Sequence, residues 1–221
     1  MDQLLDQFFN LSIMQQVFPL LVKGLWMTLK VCAIVIPVGA FAGLVVALCA
    51  TSQSRLARIL TVPYVDLFRA VPPLVLLIFI HSGLPFAGIS LSPFQSVTLA
   101  FLLNNSAFYG EIYRAGLESI GAGQREAARS TGLTALQTNI YVVIPQAVRN
   151  VLPDLLSNTI EVVKLTSLAS VVALPELLYS ADMARSITFN ASPLVLAAAF
   201  YLVLLWPVVR LLSRLERRVA T

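Results

Sequence analysis

Glu161 and Lys164 stand one helical turn apart inside an otherwise apolar run, where a charged group could be held. An ionisable side chain near the centre of a membrane span costs about 2.5–3.5 kcal/mol on insertion scales and normally faces a polar cavity. The pair can neutralise itself, as partners at this spacing do on a helix, or bond to a neighbouring subunit. Alternatively, Glu161 meets an ammonium or guanidinium group and Lys164 a carboxylate. Thr166 and Asn104 then add neutral hydrogen-bonding groups, in surroundings where charge-assisted bonds are strong. Nothing forms a catalytic constellation. His81 is the only histidine, no cluster of metal-ligand spacing is present, and no glycine loop could cradle a phosphate. A nucleotide, if one is used, binds to another chain.

A second group of residues is built for contact rather than covalent chemistry. Glu126-Ala127-Ala128 is followed after three residues by Gly132, and later by Val142-Val143-Ile144-Pro145. Residues 124–131 have helix-forming composition, and Gly132 sits where a left-handed residue would stop that helix. Thr134, with Gln137 three residues on, forms a capping box that would start another. Pro145 withholds a backbone donor and is expected to end or bend it. Arg125 and Arg129 are spaced i,i+4 and share a face, while Ala127 and Ala128 keep that surface slim enough for close approach. The segment predicts two short helices forming a rigid knuckle.

Both groups must be carried by membrane spans. Of the 221 residues, 58% are hydrophobic and 12% charged, with a mean hydropathy of +0.84. Soluble domains carry about 25% charged residues, so the chain reads as an all-α integral membrane protein. A span needs about 20 apolar residues. Segments 26–50, 70–88, 93–113, 152–173 and 193–213 meet that need, which makes five spans. Arg55, Arg58, Arg69, Arg114, Arg125, Arg129, Arg149, Arg210, Arg214, Arg217 and Arg218 fall on one side of this arrangement. Lys23 and Arg185 fall on the other. The positive-inside rule therefore puts the N-terminus outside, and the C-terminus and the knuckle in the cytosol. The net charge of +4 is sorted by loop and is no footprint of nucleic acid.

Residues 1–10 carry Asp2 and Asp6 where a signal peptide would need positive charge. Residues 11–23 are expected to form an amphipathic helix on the outer surface. Cys32 and Cys49 share the first span, too far apart to bridge. The stretch from Leu56 to Phe68, punctuated by Arg55, Arg58, Asp66 and Arg69, reads as a tilted interfacial helix, with a short span beyond Pro72-Pro73. One continuous helix kinked at Pro63 and Pro72 is the alternative. Asp66 can pair with Arg69, and Glu111 with Arg114.

The knuckle resembles the cytosolic coupling loop of ABC import permeases: Glu-Ala-Ala, three residues, Gly, nine residues, Ile, any residue, Leu-Pro. Glu126, Ala127, Ala128, Gly132 and Pro145 fall in register, with Val142 for the Ile and Ile144 for the Leu. Three further runs are similar to polar amino-acid uptake permeases of the histidine, arginine and glutamine type. They are Tyr64-Val65-Asp66-Leu67-Phe68-Arg69-Ala70-Val71-Pro72, the stretch from Asn104 to Arg114, and Lys164 with Thr166-Ser167-Leu168-Ala169. The aspartate common after the lysine is Leu165 here, and an acid stands instead at Glu161.

This resemblance implies a type I ABC importer permease fold over residues 24–218. An outer segment 1–23 precedes it, a tail 219–221 follows, and the coupling loop covers about 117–148. It implies a non-enzymatic subunit in the bacterial inner membrane that works as a dimer with an identical or sister permease. A cytosolic ATP-binding subunit dimer, with its ATP and Mg, would drive it, and an extracytoplasmic binding protein would deliver an amino acid. Arg125, Glu126, Ala127, Ala128, Gly132 and Pro145 would couple to the ATPase. Asn104, Glu161, Lys164 and Thr166 would line the substrate path. The alternatives are an ABC permease for methionine or another small solute, or an ion-coupled secondary transporter, whose usual self-similar halves are not evident.

Overall fold

The computed structural model describes residues 2–52 and 54–219, and every regular element among them is helical. A short helix, α1 (Asp2–Phe9), leads into α2 (Leu11–Ala50). Asn10 starts α2 by accepting a hydrogen bond from the Ile13 amide at 3.1 Å. At 1.5 Å per residue, its 40 residues span about 60 Å, twice the hydrocarbon core. The separate surface helix expected over 11–23 is therefore corrected: those residues are the first turns of α2. Val17 and Leu21 are buried there against Leu177 and Ala181 of α9 (Leu177–Thr188) and Ala197 of α10 (Ser192–Val219).

α3 (Arg55–Ala70) and α4 (Pro73–Ile78) follow. α4 runs on through a π turn, Phe79–Gly83, and a 3-10 turn, Leu84–Ala87. The two arms meet at 102°. Val71 and Pro72 each precede a proline, which drives both out of the helical region, and both are extended, with ψ of 125° and 133°. Pro63 stays within an unbroken α3, so the break is at 71–72 alone. Arg69 does not pair with Asp66 as its spacing allowed. It reaches Glu111 at 3.6 Å and lies over the Phe108 ring. Glu111 also binds Arg114, as expected, and Arg114 continues to Glu118.

α5 (Pro93–Glu118) is the central post. Its 26 residues reach about 39 Å, but Ser96, Asn104, Asn105 and Ser106 dilute its hydropathy, and all four are buried. By length and composition, three helical stretches among the described residues can cross a bilayer: Gln3–Ala50, Ala135–Val172 and Ser192–Arg214. The bent α3–α4 pair counts as a fourth only where its two arms are taken together as one span. One core cluster joins Val31 and Val35 of α2, Leu77 of α4, Val97 and Phe101 of α5, and Val162 and Ala169 further on.

α9 was not anticipated. The side chain of Glu176 starts it by accepting from the Leu178 and Tyr179 amides at 2.8 and 2.7 Å, and this carboxylate is fully buried. The end of α1 is tied down where α10 begins. The Ala191 amide donates to the Gln7 carbonyl, and the Asn10 amide donates to Ser192 Oγ at 2.9 Å. Residues 220 and 221 of the expected tail lie outside the described residues.

Candidate coupling surface and charged stripe

The knuckle takes its shape from local chemistry. α6 (Ala122–Ser130) stops at Gly132, whose φ is +91°, a conformation that favours glycine. Arg129 donates to the Leu133 carbonyl at 3.2 Å and braces the turn. Thr134 and Gln137 form the expected capping box, each side chain bonding to the other's backbone amide. α7 (Ala135–Thr138) begins there, then passes through a π turn, Asn139–Val143, into α8 (Ile144–Leu165). Pro145 neither ends nor breaks this path. It sits in the first turn of α8, just after the π turn has shifted the hydrogen-bond ladder, so its missing donor disrupts no regular ladder.

The two faces of the knuckle differ. Ala128 is buried, and Ile120, Val143 and Ala147 form a small core with Leu117 packed against it. Glu126, Ala127, Arg129 and Gly132 are exposed, so the paired alanines have separate duties. Arg125 and Arg129 do not share an outer surface as their spacing suggested. The Arg125 guanidinium turns inward, donating to the Leu117 carbonyl at 2.9 Å and to Asn139 Oδ1 at 3.3 Å. Leu136, Ile140 and Tyr141 point outward instead, with Leu136 and Tyr141 each 69% exposed. Sequence reasoning passed over these three, although apolar residues beside a capping box in a polar loop were the available signal.

α8 carries a charged stripe. Asp154, Ser157, Glu161 and Lys164 are all exposed, and their spacings of three, four and three residues keep them on one face. Val151, Ile160 and Val162 are buried on its other faces. Lys164 Nζ lies 2.6 Å from Glu161 Oε1, with side-chain exposures of 53% and 59%. Asn104 and Thr166, expected beside this pair, are buried within the protomer. Asn104 donates to the Phe68 carbonyl at 2.8 Å, tying α5 to α3, and Thr166 Oγ1 donates to the Val163 carbonyl at 2.7 Å. The open polar face is therefore Asp154, Ser157, Glu161 and Lys164.

Residues 35–221 match the family model described as binding-protein-dependent transport system inner membrane component. The chain belongs to this family. It is 35% identical to the probable glutamine ABC transporter permease protein GlnM of Bacillus subtilis, over 95% of this chain and 97% of that one. It is 31% identical to the arginine transport system permease protein ArtQ of the same organism, over 84% and 86% of the two chains. Among solved structures, a chain of an amino acid ABC transporter with histidines superposes with a TM-score of 0.86 at 36% identity, covering 93% of this chain and 96% of that one. A chain of the MetNI methionine ABC transporter gives a TM-score of 0.74 at 22% identity over 91% and 97%, a likeness of fold. This inner-membrane component is thus an ABC permease subunit of the type I importer fold. Family membership sets aside the ion-coupled secondary transporter. The family's binding-protein-dependent transport implies two kinds of partner in general, an ATP-binding subunit and a substrate-binding protein.

Proposed function

We propose that this permease carries an amino acid inward between two permease subunits and couples that movement to a cytosolic ATPase pair through the knuckle at 117–148. The observation that carries the reading is a single helical path from Leu136 on the outward face of α7, through the π turn, to Glu161 on α8. At 1.5 Å per residue the two ends lie about 38 Å apart. A shift of the knuckle is thereby delivered to the charged stripe. Glu126, Ala127 and Gly132, with Leu136, Ile140 and Tyr141, form the face that the ATPase grips. Arg125, Ala128 and Pro145 act from behind it, joining the knuckle to the spans.

A stripe of three charged residues on a span is costly against lipid, so it faces a water-filled path shared with a second copy or a sister permease. Glu161 addresses the substrate's positive group and Lys164 its carboxylate. Asn104 and Thr166 support this face from behind by fixing α5 and the end of α8. The named relatives that carry glutamine and arginine support an amino acid with a polar or cationic side chain. This chain holds no cofactor in the cycle, because ATP and Mg bind to the ATPase subunits. The N-terminus lies outside and the C-terminus in the cytosol. Substrate delivery and ATP binding must each favour a different conformation, since a ligand without differential affinity shifts no equilibrium.

The test is amino-acid uptake into vesicles containing the permease with its ATP-binding subunit and binding protein. Uptake is expected only with internal ATP. Uptake driven by an ion gradient without ATP overturns the reading.

A further inference from the structure

The end of α2, the start of α3, the end of α5 and the coupling helix α6 enclose an open cleft of about 670 Å³. Arg58 and Arg125 both line it. Glu118 lines it too, but Arg114 already binds its carboxylate at 2.5 Å. Among the described residues neither Arg58 nor Arg125 has an ion-pair partner. The cleft is left with two uncompensated guanidinium groups. Arg125 is held in place by its bonds to the Leu117 carbonyl and Asn139. Arg58 also belongs to a shallower groove of about 630 Å³ on α3, lined by Ile59, Val62 and Pro63, with Arg55 beside it. Ile59 is 67% exposed and Val62 51%.

A positive cleft opening onto an aliphatic groove fits a molecule that is anionic at one end and aliphatic at the other. We propose that an anionic phospholipid binds here. Its headgroup phosphate lies between Arg58 and Arg125, and one acyl chain runs along Ile59, Val62 and Pro63. Guanidinium groups match phosphate oxygens bidentately. Basic pockets between helices on the cytosolic side are suited to acidic headgroups. The 102° bend lets α3 lie across the direction of α4, as an interfacial helix does. A soluble anion would satisfy the arginines and leave the groove uncovered. The placement on the cytosolic leaflet rests on the proposed coupling role of the knuckle. Such a lipid bridges α3 to α6 and ties membrane composition to the coupling helix.

The test is native mass spectrometry of the assembled transporter released from bilayers of mixed phosphatidylglycerol and phosphatidylcholine. The wild type is expected to retain phosphatidylglycerol selectively. Each lost guanidinium should weaken retention about fivefold, so Arg58→Gln with Arg125→Gln together should lower it more than tenfold. Arg210→Gln, outside the cleft, should leave it unchanged. If the double variant does not assemble, Ile59→Gln on the exposed face serves instead. It should weaken long-chain phosphatidylglycerol more than a short-chain analogue. Undiminished retention in these variants overturns the site. Displacement of the lipid by millimolar inorganic phosphate overturns the lipid assignment in favour of a simple anion site. Retention by the permease alone, lost when the ATPase joins, shows instead that the ATPase covers the cleft. Retention is read without transport, so its failure leaves the coupling role, judged by uptake per ATP, untouched.

Discussion

Gly43 of α2 lies so close to Tyr109 of α5 that a Cβ on the glycine would stand 2.5 Å from the tyrosine Cβ. The two helices meet there almost backbone to backbone, as small residues permit in membranes. Tyr109 is itself buried, and its hydroxyl lies 2.9 Å from Thr159 Oγ1 on α8. One contact thus links the longest span, the central post and the helix that carries the charged stripe. Gly43→Val should force α2 and α5 apart. Overpacking of this kind costs about 1–3 kcal/mol. We expect lower yield in the membrane and a lower melting temperature in detergent. Tyr109→Phe, which removes only the hydroxyl, should cost about 0.6 kcal/mol. A Gly43→Val protein that melts like the wild type would show that the close approach does not matter.

Gly132 offers a cleaner separation of stability from function. A Cβ there would meet nothing within 4 Å, so the only penalty for a side chain is backbone strain at φ +91°. That strain is about 1–3 kcal/mol for a β-branched residue. Gly132→Val should insert and assemble, yet hydrolyse ATP with less uptake per ATP consumed. Gly132→Asn, which tolerates the left-handed region better, should fall between. An unchanged ratio of uptake to hydrolysis in reconstituted vesicles would count against the turn as part of the lever.

Leu136 and Tyr141 are large apolar side chains on the outward face of the knuckle, as exposed as lipid-facing residues but within a polar loop. A handful of well-packed central residues dominate typical interfaces, each worth about 2 kcal/mol or more on truncation. Leu136→Asp should therefore weaken ATPase association at least about thirtyfold without loss of the permease from the membrane. Co-purification of the two subunits across a dilution series reads this directly. Retention equal to wild type would move the docking face elsewhere.

The parts of this protein that were legible from its sequence were those fixed by near neighbours. Gly132 and the Thr134–Gln137 box act within four residues, so their types alone announced the turn and the restart. Pro72-Pro73 announced the bend for the same reason. What sequence reasoning missed is decided across the fold. Arg69 had Asp66 one turn away but reached Glu111 on another helix, because packing of α3 on α5 brought that carboxylate closer. Asn104 looked like a path residue until the Phe68 carbonyl claimed it. The start of α2 looked interfacial because its burying partners, on α9 and α10, lie more than 150 residues away, about where no periodicity can point.

Glu161 is the residue at which the substrate question can be tested. It and Lys164 are close enough to bond at 2.6 Å, yet both remain more than half exposed along a face shared with Asp154 and Ser157. A purely structural pair gains nothing from such exposure, and an exposed pair contributes at most about 1 kcal/mol to stability. Glu161→Gln keeps the shape and removes the charge, so folding should be nearly unaffected. If the carboxylate meets a cationic side chain, uptake of arginine, lysine or histidine should fall by tenfold or more, with glutamine uptake kept. If it meets the α-ammonium of every substrate, all should fall together. Asn104→Ala is the contrast: it should lower thermal stability by about 1 kcal/mol through the lost bond to Phe68 and leave the order of substrate preference intact. The measurement is competitive uptake over a panel of amino acids, with expression and ATP hydrolysis checked in the same vesicles. Normal uptake of every substrate by Glu161→Gln would make the carboxylate a partner of Lys164 alone and remove it from the path.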